Sequence, residues 1–209
     1  MTVAPRAHHV TQGDVQLPGD VMTPQEFQKF YPLIARWLRE TLAAHARSAR
    51  AVASCGFLGL PLYFKAETLS SAKFVVLDRL PMPPLSSWGL TQFADFERGD
   101  PDGVAYLDTF FLKPHQSKNE VIHFHELIHV LQWRVLGPEQ FLRTYADGLE
   151  SFGYRDSPLE VMAYNAEARF ASSIAPFDAE RLVVENLACG SPTSSVVSSV
   201  RRLLALDVR

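Results

Sequence analysis

The sequence predicts an α+β domain in which a small mixed or antiparallel sheet packs on one central helix, with additional helices on its N- and C-terminal sides. Three observations predict it. Residues 118–136 place Val121, Phe124, Leu127, Ile128, Leu131 and Val135 at spacings of three and four, the pattern of a buried amphipathic helix. Two apolar runs, Ala72–Leu80 and Val104–Leu112, are rich in β-branched and aromatic residues and are bounded by proline and glycine turns, as strands are. Helical patterns then occupy most of the remainder.

Taken in order, residues 1–22 form a polar, weakly patterned lead-in, and residues 23–209 form a single domain. Thr23-Pro24-Gln25-Glu26 starts the first helix, with threonine at the N-cap, proline at the first helical position and glutamate placed to complete a capping box. Phe27, Phe30, Ile34, Trp37 and Leu38 form its apolar face. Pro32 predicts a kink or a restart, with helix continuing toward Ala53, and Gly56, Gly59 and Pro61 end it. The strand Ala72–Leu80 leads into a stiff loop at Pro81, Pro83 and Pro84.

A turn at Gly99–Gly103 precedes the strand Val104–Leu112, which is placed to form the rim of a cleft where an extended peptide would add its own backbone hydrogen bonds. Gly137 and Pro138 close the central helix. A short helix over Pro138–Asp147, a connection over Gly148–Asp156, a helix from Ser157 toward Ser172 and two more over Asp178–Ala188 and Ser194–Leu206 complete the chain.

At 209 residues and 23.4 kDa the chain is long enough to bury a core of its own. A net charge of −3, a pI near 6.2 and scattered lysines and arginines exclude a basic surface for nucleic acid or for an acidic membrane. A peptide, protein or small-molecule substrate is the expected partner. No apolar signal segment opens the sequence, and no run is long enough to span a bilayer. Cys55 and Cys189 have neither disulfide nor metal spacing, so the expected compartment is the cytoplasm.

The chemistry is concentrated in His125-Glu126-Leu127-Ile128-His129. On a helix, histidines four residues apart lie one turn above each other on one face and reach a single metal ion, with Glu126 beside them as a general base. The expected cofactor is Zn2+. A catalytic zinc site takes three protein ligands and leaves the fourth position to water. Asp147, Glu150, Asp156, Glu160 and Glu167 are the downstream candidates for the third. Glu160 is favoured, because it opens a helix about thirty residues after His129, enough chain for the connection to turn back. Glu160 also matches a capping box with Ser157, a role that would compete with metal binding.

Together, His125-Glu126-Leu127-Ile128-His129 and Glu160-Val161-Met162-Ala163 resemble the two motifs of the gluzincin branch of zinc metallopeptidases, in its compact minigluzincin form, over roughly residues 104–170. The resemblance implies a zincin-like fold and peptide-bond hydrolysis, with His125, His129 and Glu160 as metal ligands and Glu126 as the catalytic base. It also implies a tyrosine or histidine that stabilises the oxyanion, for which Tyr154 leads over Tyr145, Tyr164 and His115. The sequence departs from the family one turn after Glu160. Where some members carry an aspartate that holds a zinc histidine, this chain has Tyr164, with Asn165 beside it.

His123 points to another helix face and is expected to be a surface or core histidine, and His8 and His9 to be solvated. Two other function classes fit the same residues: a non-catalytic peptide-binding protein on the same scaffold, and a zinc hydrolase of a non-peptide amide. Glu126 favours catalysis, since a structural metal site needs no base. A zinc nucleobase deaminase is excluded by the absence of a Pro-Cys-x-x-Cys partner.

Overall fold

The structure, a computed structural model, describes residues 22–172 and 175–188; the expected Ser194–Leu206 helix, Cys189, His8 and His9 lie outside these. The described chain is mixed α+β. Helix α1 (Pro24–His45) starts with the expected capping box: Glu26 N–H donates to Thr23 Oγ1 at 3.2 Å and Thr23 N–H to Glu26 Oε2 at 2.9 Å. It runs through Pro32 without a restart. Pro32 and the carbonyl-bearing Gln28 one turn earlier are both exposed, so water satisfies the carbonyl that loses its partner.

The helix does not continue toward Ala53. It ends at His45, and strand β1 (Arg50–Ala51) pairs antiparallel with β2 (Lys73–Val76) before a short 3-10 turn at Val52–Cys55. Strand pairing here overrides the helix propensity of an alanine-rich stretch.

After helix α2 (Ala66–Ser71) and β2, a loop with two 3-10 turns leads to a short helix α3 (Ala94–Arg98). The expected single strand over Val104–Leu112 is instead a hairpin of β3 (Gly103–Tyr106) and β4 (Thr109–Leu112). The turn residues are Leu107 and Asp108, and Leu107 has φ 59°, a left-handed value unusual for leucine. Neither the Gly nor the Asn that commonly marks such a turn is present.

Sheet order is β1-β2-β4-β3, with β2 and β4 parallel and the outer pairs antiparallel. Both faces of the sheet are covered. Phe74, Phe110 and Leu112 face Phe124, Leu127 and Ile128, while Val75, Phe111 and Tyr106 share a second core with Leu38 of α1.

Helix α4 (Glu120–Phe152) contains the central apolar segment, capped by Asn119, whose Oδ1 accepts from Val121 N–H at 3.1 Å. It comprises two helices joined at Gly137, where φ 72° and ψ 164° leave the helical region. The second half runs to Phe152, five residues past the expected end at Asp147. The kink folds the chain so that Phe141 stacks on Trp133 with ring centroids 3.8 Å apart, and Tyr145 stacks in turn on Phe141 at 5.7 Å.

Helix α5 (Pro158–Ala171) packs on α4 through Ala163 and Ala166, and α6 (Ala179–Ala188) closes the same core with Val183. Among the described residues no helix is long and apolar enough to cross a membrane.

His123 is wholly buried between Phe57, Phe74 and Phe110, with ring centroids 4.8, 4.9 and 5.3 Å away. It is a core residue whose Nε2 donates to Ser117 C=O at 3.1 Å, while Nδ1 has no partner among the described residues. Burial pulls its pKa down to about 4 from 6.5.

Two predictions follow from this frame. Because Gly137 occupies a region nearly restricted to glycine, Gly137→Ala lowers unfolding free energy by about 1–3 kcal/mol in urea titration. Between pH 6.5 and 4 the unfolded chain protonates His123 and the native state does not, so stability falls as pH is lowered through that window. His123→Gln removes this part of the acid sensitivity, read as a shallower slope of unfolding free energy against pH than in wild type.

Candidate metal centre

The first half of α4 presents His125 and His129 one turn apart, as the spacing predicts, and α5 brings Glu160 against them from the side. The two imidazole nitrogens face each other and the Glu160 carboxylate, which turns one oxygen toward each ring. His125 Nε2 and His129 Nε2 are 3.1 Å apart, His125 Nε2 lies 3.5 Å from Glu160 Oε2, and His129 Nε2 lies 3.4 Å from Glu160 Oε1. Tetrahedral ligands about 2.0–2.1 Å from one zinc ion would be roughly 3.3 Å apart, close to the spacing of each nitrogen from the other and from its nearer Glu160 oxygen. All three residues are at most 5% exposed.

The protonation pattern favours a cation at the centre. His125 Nδ1 lies 2.7 Å from Glu167 Oε2 and can only donate to it. Gln132 commits its amide N–H to Leu159 C=O at 2.9 Å, so its Oε1 faces His129 Nδ1 at 2.8 Å, and His129 too must donate. In the neutral rings both Nε2 atoms are therefore lone pairs, and they point at each other and at a carboxylate. Glu160 Oε2 and Glu126 Oε2 are buried with no hydrogen-bond partner among the described residues. Acceptors gathered in this way out of water repel one another unless a positive charge lies among them.

Without an ion, the same carboxylates hold protons on the histidines. Burial opposes charge on His125, but Glu160 and Glu167 outweigh it and push its pKa up to about 10. Burial likewise opposes charge on His129, and Glu160 raises it. Glu160 is held well below the usual carboxylate range by His129 and His125 despite its burial.

The capping box expected for Ser157 and Glu160 is absent. The Ser157 side chain makes no cap hydrogen bond and its Oγ has no partner among the described residues, while Glu160 Oε1 accepts from Tyr145 O–H at 2.8 Å. The competition between capping and the histidines is thus settled toward the histidines.

Of the other acidic candidates, Glu150 accepts from Met22 N–H and Gln92, Asp156 is exposed, and Glu167 stands behind His125 rather than beside the facing donor atoms. The Tyr164 ring packs against His125 at a tilt of 57° with centroids 4.7 Å apart, and Asn165 is exposed. His115 is exposed and pairs with Asp102 at 3.2 Å.

Glu167, Gln132 and Tyr145 as supports were not foreseen from the sequence. The signals were present: Glu167 lies seven residues, two turns, beyond Glu160, and Gln132 three beyond His129, both on shared helix faces.

Glu126 lines a cavity that it shares with His129 and Glu160. A Cβ at Gly103 would collide with its carboxylate, so only glycine lets β3 approach this closely. Burial pushes the Glu126 carboxyl up to about 7. Tyr154 stands on the wall of the same cavity, partly exposed, its phenol held far above its ordinary pKa by burial and by Glu160 and Glu126.

Most of the cavity's lining is aliphatic or aromatic. No family model, curated protein or solved structure matches the chain.

Glu167→Gln weakens the hydrogen bond that orients His125; for any divalent ion that the centre takes up, chelator competition then reads an affinity about 10–100-fold lower than in wild type.

Proposed function

We propose that this chain is a zinc-dependent hydrolase of amide bonds, with a zincin-like fold of gluzincin type. The observation that supports it best is the pairing in one cavity of a buried, otherwise unengaged carboxylate, Glu126, with three converging donors of the kind that hold catalytic zinc. A purely structural metal site has no use for such a carboxylate.

In this reading His125, His129 and Glu160 hold the ion, which supplies a water of lowered pKa and a positive charge near the carbonyl oxygen. Glu126 accepts a proton from the attacking water and delivers it to the leaving nitrogen. Burial favours the protonated form of this carboxyl, which suits it to hold a proton between the two transfers. Tyr154, kept protonated by its surroundings, donates its O–H toward the developing oxyanion. Tyr145 fixes the Glu160 carboxylate, and the Trp133-Phe141-Tyr145 stack fixes Tyr145.

Strand β3 lies at the sheet edge beside Glu126. Lys113 N–H bonds Asp102 C=O, and the hairpin pairs Val104 with Phe111 and Tyr106 with Thr109, so Gly103 and Ala105 turn their backbone groups outward. Ala105 C=O is already occupied by Trp133 Nε1–H at 3.1 Å. The expected edge for an extended peptide is thereby shortened to the groups of Gly103 and the N–H of Ala105.

The deciding experiment compares wild type, Glu126→Gln and Glu160→Ala for zinc by elemental analysis and for hydrolysis of fluorogenic amides. Glu126→Gln keeps about one zinc per chain and loses about 10²–10⁴-fold in rate, while Glu160→Ala loses both. Equal rates for Glu126→Gln and wild type would remove Glu126 from the chemistry and the hydrolase reading with it.

A further inference from the structure

We infer that the substrate is a small amphipathic amide with one long alkyl arm, and that the arm lies along α1 in the cavity that opens from the metal centre. The inference rests on the hydrolase reading and adds to it what the site would take.

The cavity runs from Glu126, His129 and Glu160 between α1 and the second half of α4 as far as Met22. One wall is a single face of α1, with Phe27, Phe30, Ile34, Trp37 and Leu38 at spacings of three, four, three and one. These eleven residue steps span roughly 16 Å of helix. Leu142, Ala146 and Leu149 form the opposite wall, and Leu85, Leu90 and Phe93 from the loop before α3 form a third.

Polar side-chain atoms are gathered at one end. Tyr106 O–H is committed to Pro81 C=O at 2.8 Å and Trp133 Nε1–H to Ala105 C=O, which leaves Glu126, His129, Tyr145, Tyr154 and Glu160 at the metal centre. Beyond them, among the described residues, the only polar side-chain atom in the lining is the Trp37 indole nitrogen.

This distribution discriminates between substrate classes. A peptide threaded along α1 would bury a carbonyl and an N–H at nearly every residue with no partner for them, a cost that an alkyl chain avoids. At the sheet edge, where a peptide would find backbone partners, the Ala105 carbonyl is taken. The amide group itself meets the polar end. There water adds its oxygen to the carbonyl carbon, the C–N bond breaks, and the proton taken by Glu126 goes to the nitrogen, giving a carboxylic acid and an amine.

The test uses a series of straight-chain hydroxamic acids, from acetohydroxamic acid to dodecanohydroxamic acid, titrated into the zinc-loaded full-length protein. A hydroxamate would chelate zinc through its two oxygens, so its chain reports on the cavity that opens from the metal centre. Affinity rises with chain length, by at most about fourfold per methylene, until the chain outruns the α1 wall. Ala146→Phe and, from the facing wall, Ile34→Trp move that plateau to shorter chains, while zinc content and acetohydroxamate affinity stay at wild-type values.

Zinc-loaded protein that binds acetohydroxamic acid normally but shows no dependence on chain length would overturn the inference and leave the hydrolase reading standing. Faster hydrolysis of extended peptides than of dodecanoyl amides would do the same. A metal-free protein that takes up no zinc yet binds decan-1-ol would overturn the hydrolase reading, and this substrate class with it.

Discussion

Two imidazole lone pairs and a carboxylate, packed within hydrogen-bond range of one another and shut away from water, form an arrangement that only a positive charge makes stable. Much of the surrounding structure serves to hold it. Each histidine is turned by an acceptor on its far side, Glu167 for His125 and Gln132 for His129, so that neither ring can rotate its lone pair away. Glu160 is held by Tyr145 and enclosed by α4 and α5. Protons can occupy this centre, as the raised histidines show, but a divalent ion neutralises the set with fewer groups left facing one another.

The kink at Gly137 links this centre to the rest of the chain. A straight helix would carry Phe141 and Tyr145 away from the site at 1.5 Å per residue. The break at glycine turns the second half of α4 back, stacks Phe141 on Trp133, and delivers the Tyr145 hydroxyl to Glu160. The same bend separates α4 from α1 and leaves the apolar cavity between them. One backbone conformation thus shapes both the support of a candidate ligand and the space through which it is reached.

The hairpin shows a related economy. β3 lies close enough to Glu126 that only glycine fits at position 103, and its next outward-facing carbonyl is engaged by Trp133. The sheet edge shields the Glu126 carboxylate on one side and offers only a short stretch of backbone to a ligand. A strand that looks from its composition like an open peptide-binding rim is, through one indole hydrogen bond, partly closed.

Much of the centre was legible in the sequence because it is local. The i and i+4 spacing of His125 and His129 follows from helix periodicity alone, as do the amphipathic face of residues 118–136 and the capping box at Thr23. Other features depend on partners distant in the chain. Whether Glu160 caps its own helix or meets the histidines is decided by how α5 packs on α4, and the end of α1 at His45 by the pairing of Arg50 and Ala51 with Phe74 and Lys73. The division of Val104–Leu112 into two strands rests on a leucine in a left-handed turn that no local signal announces. Periodicity specifies which side chains share a face; only the packed structure specifies which faces meet, because that choice balances burial and hydrogen bonding over the whole chain.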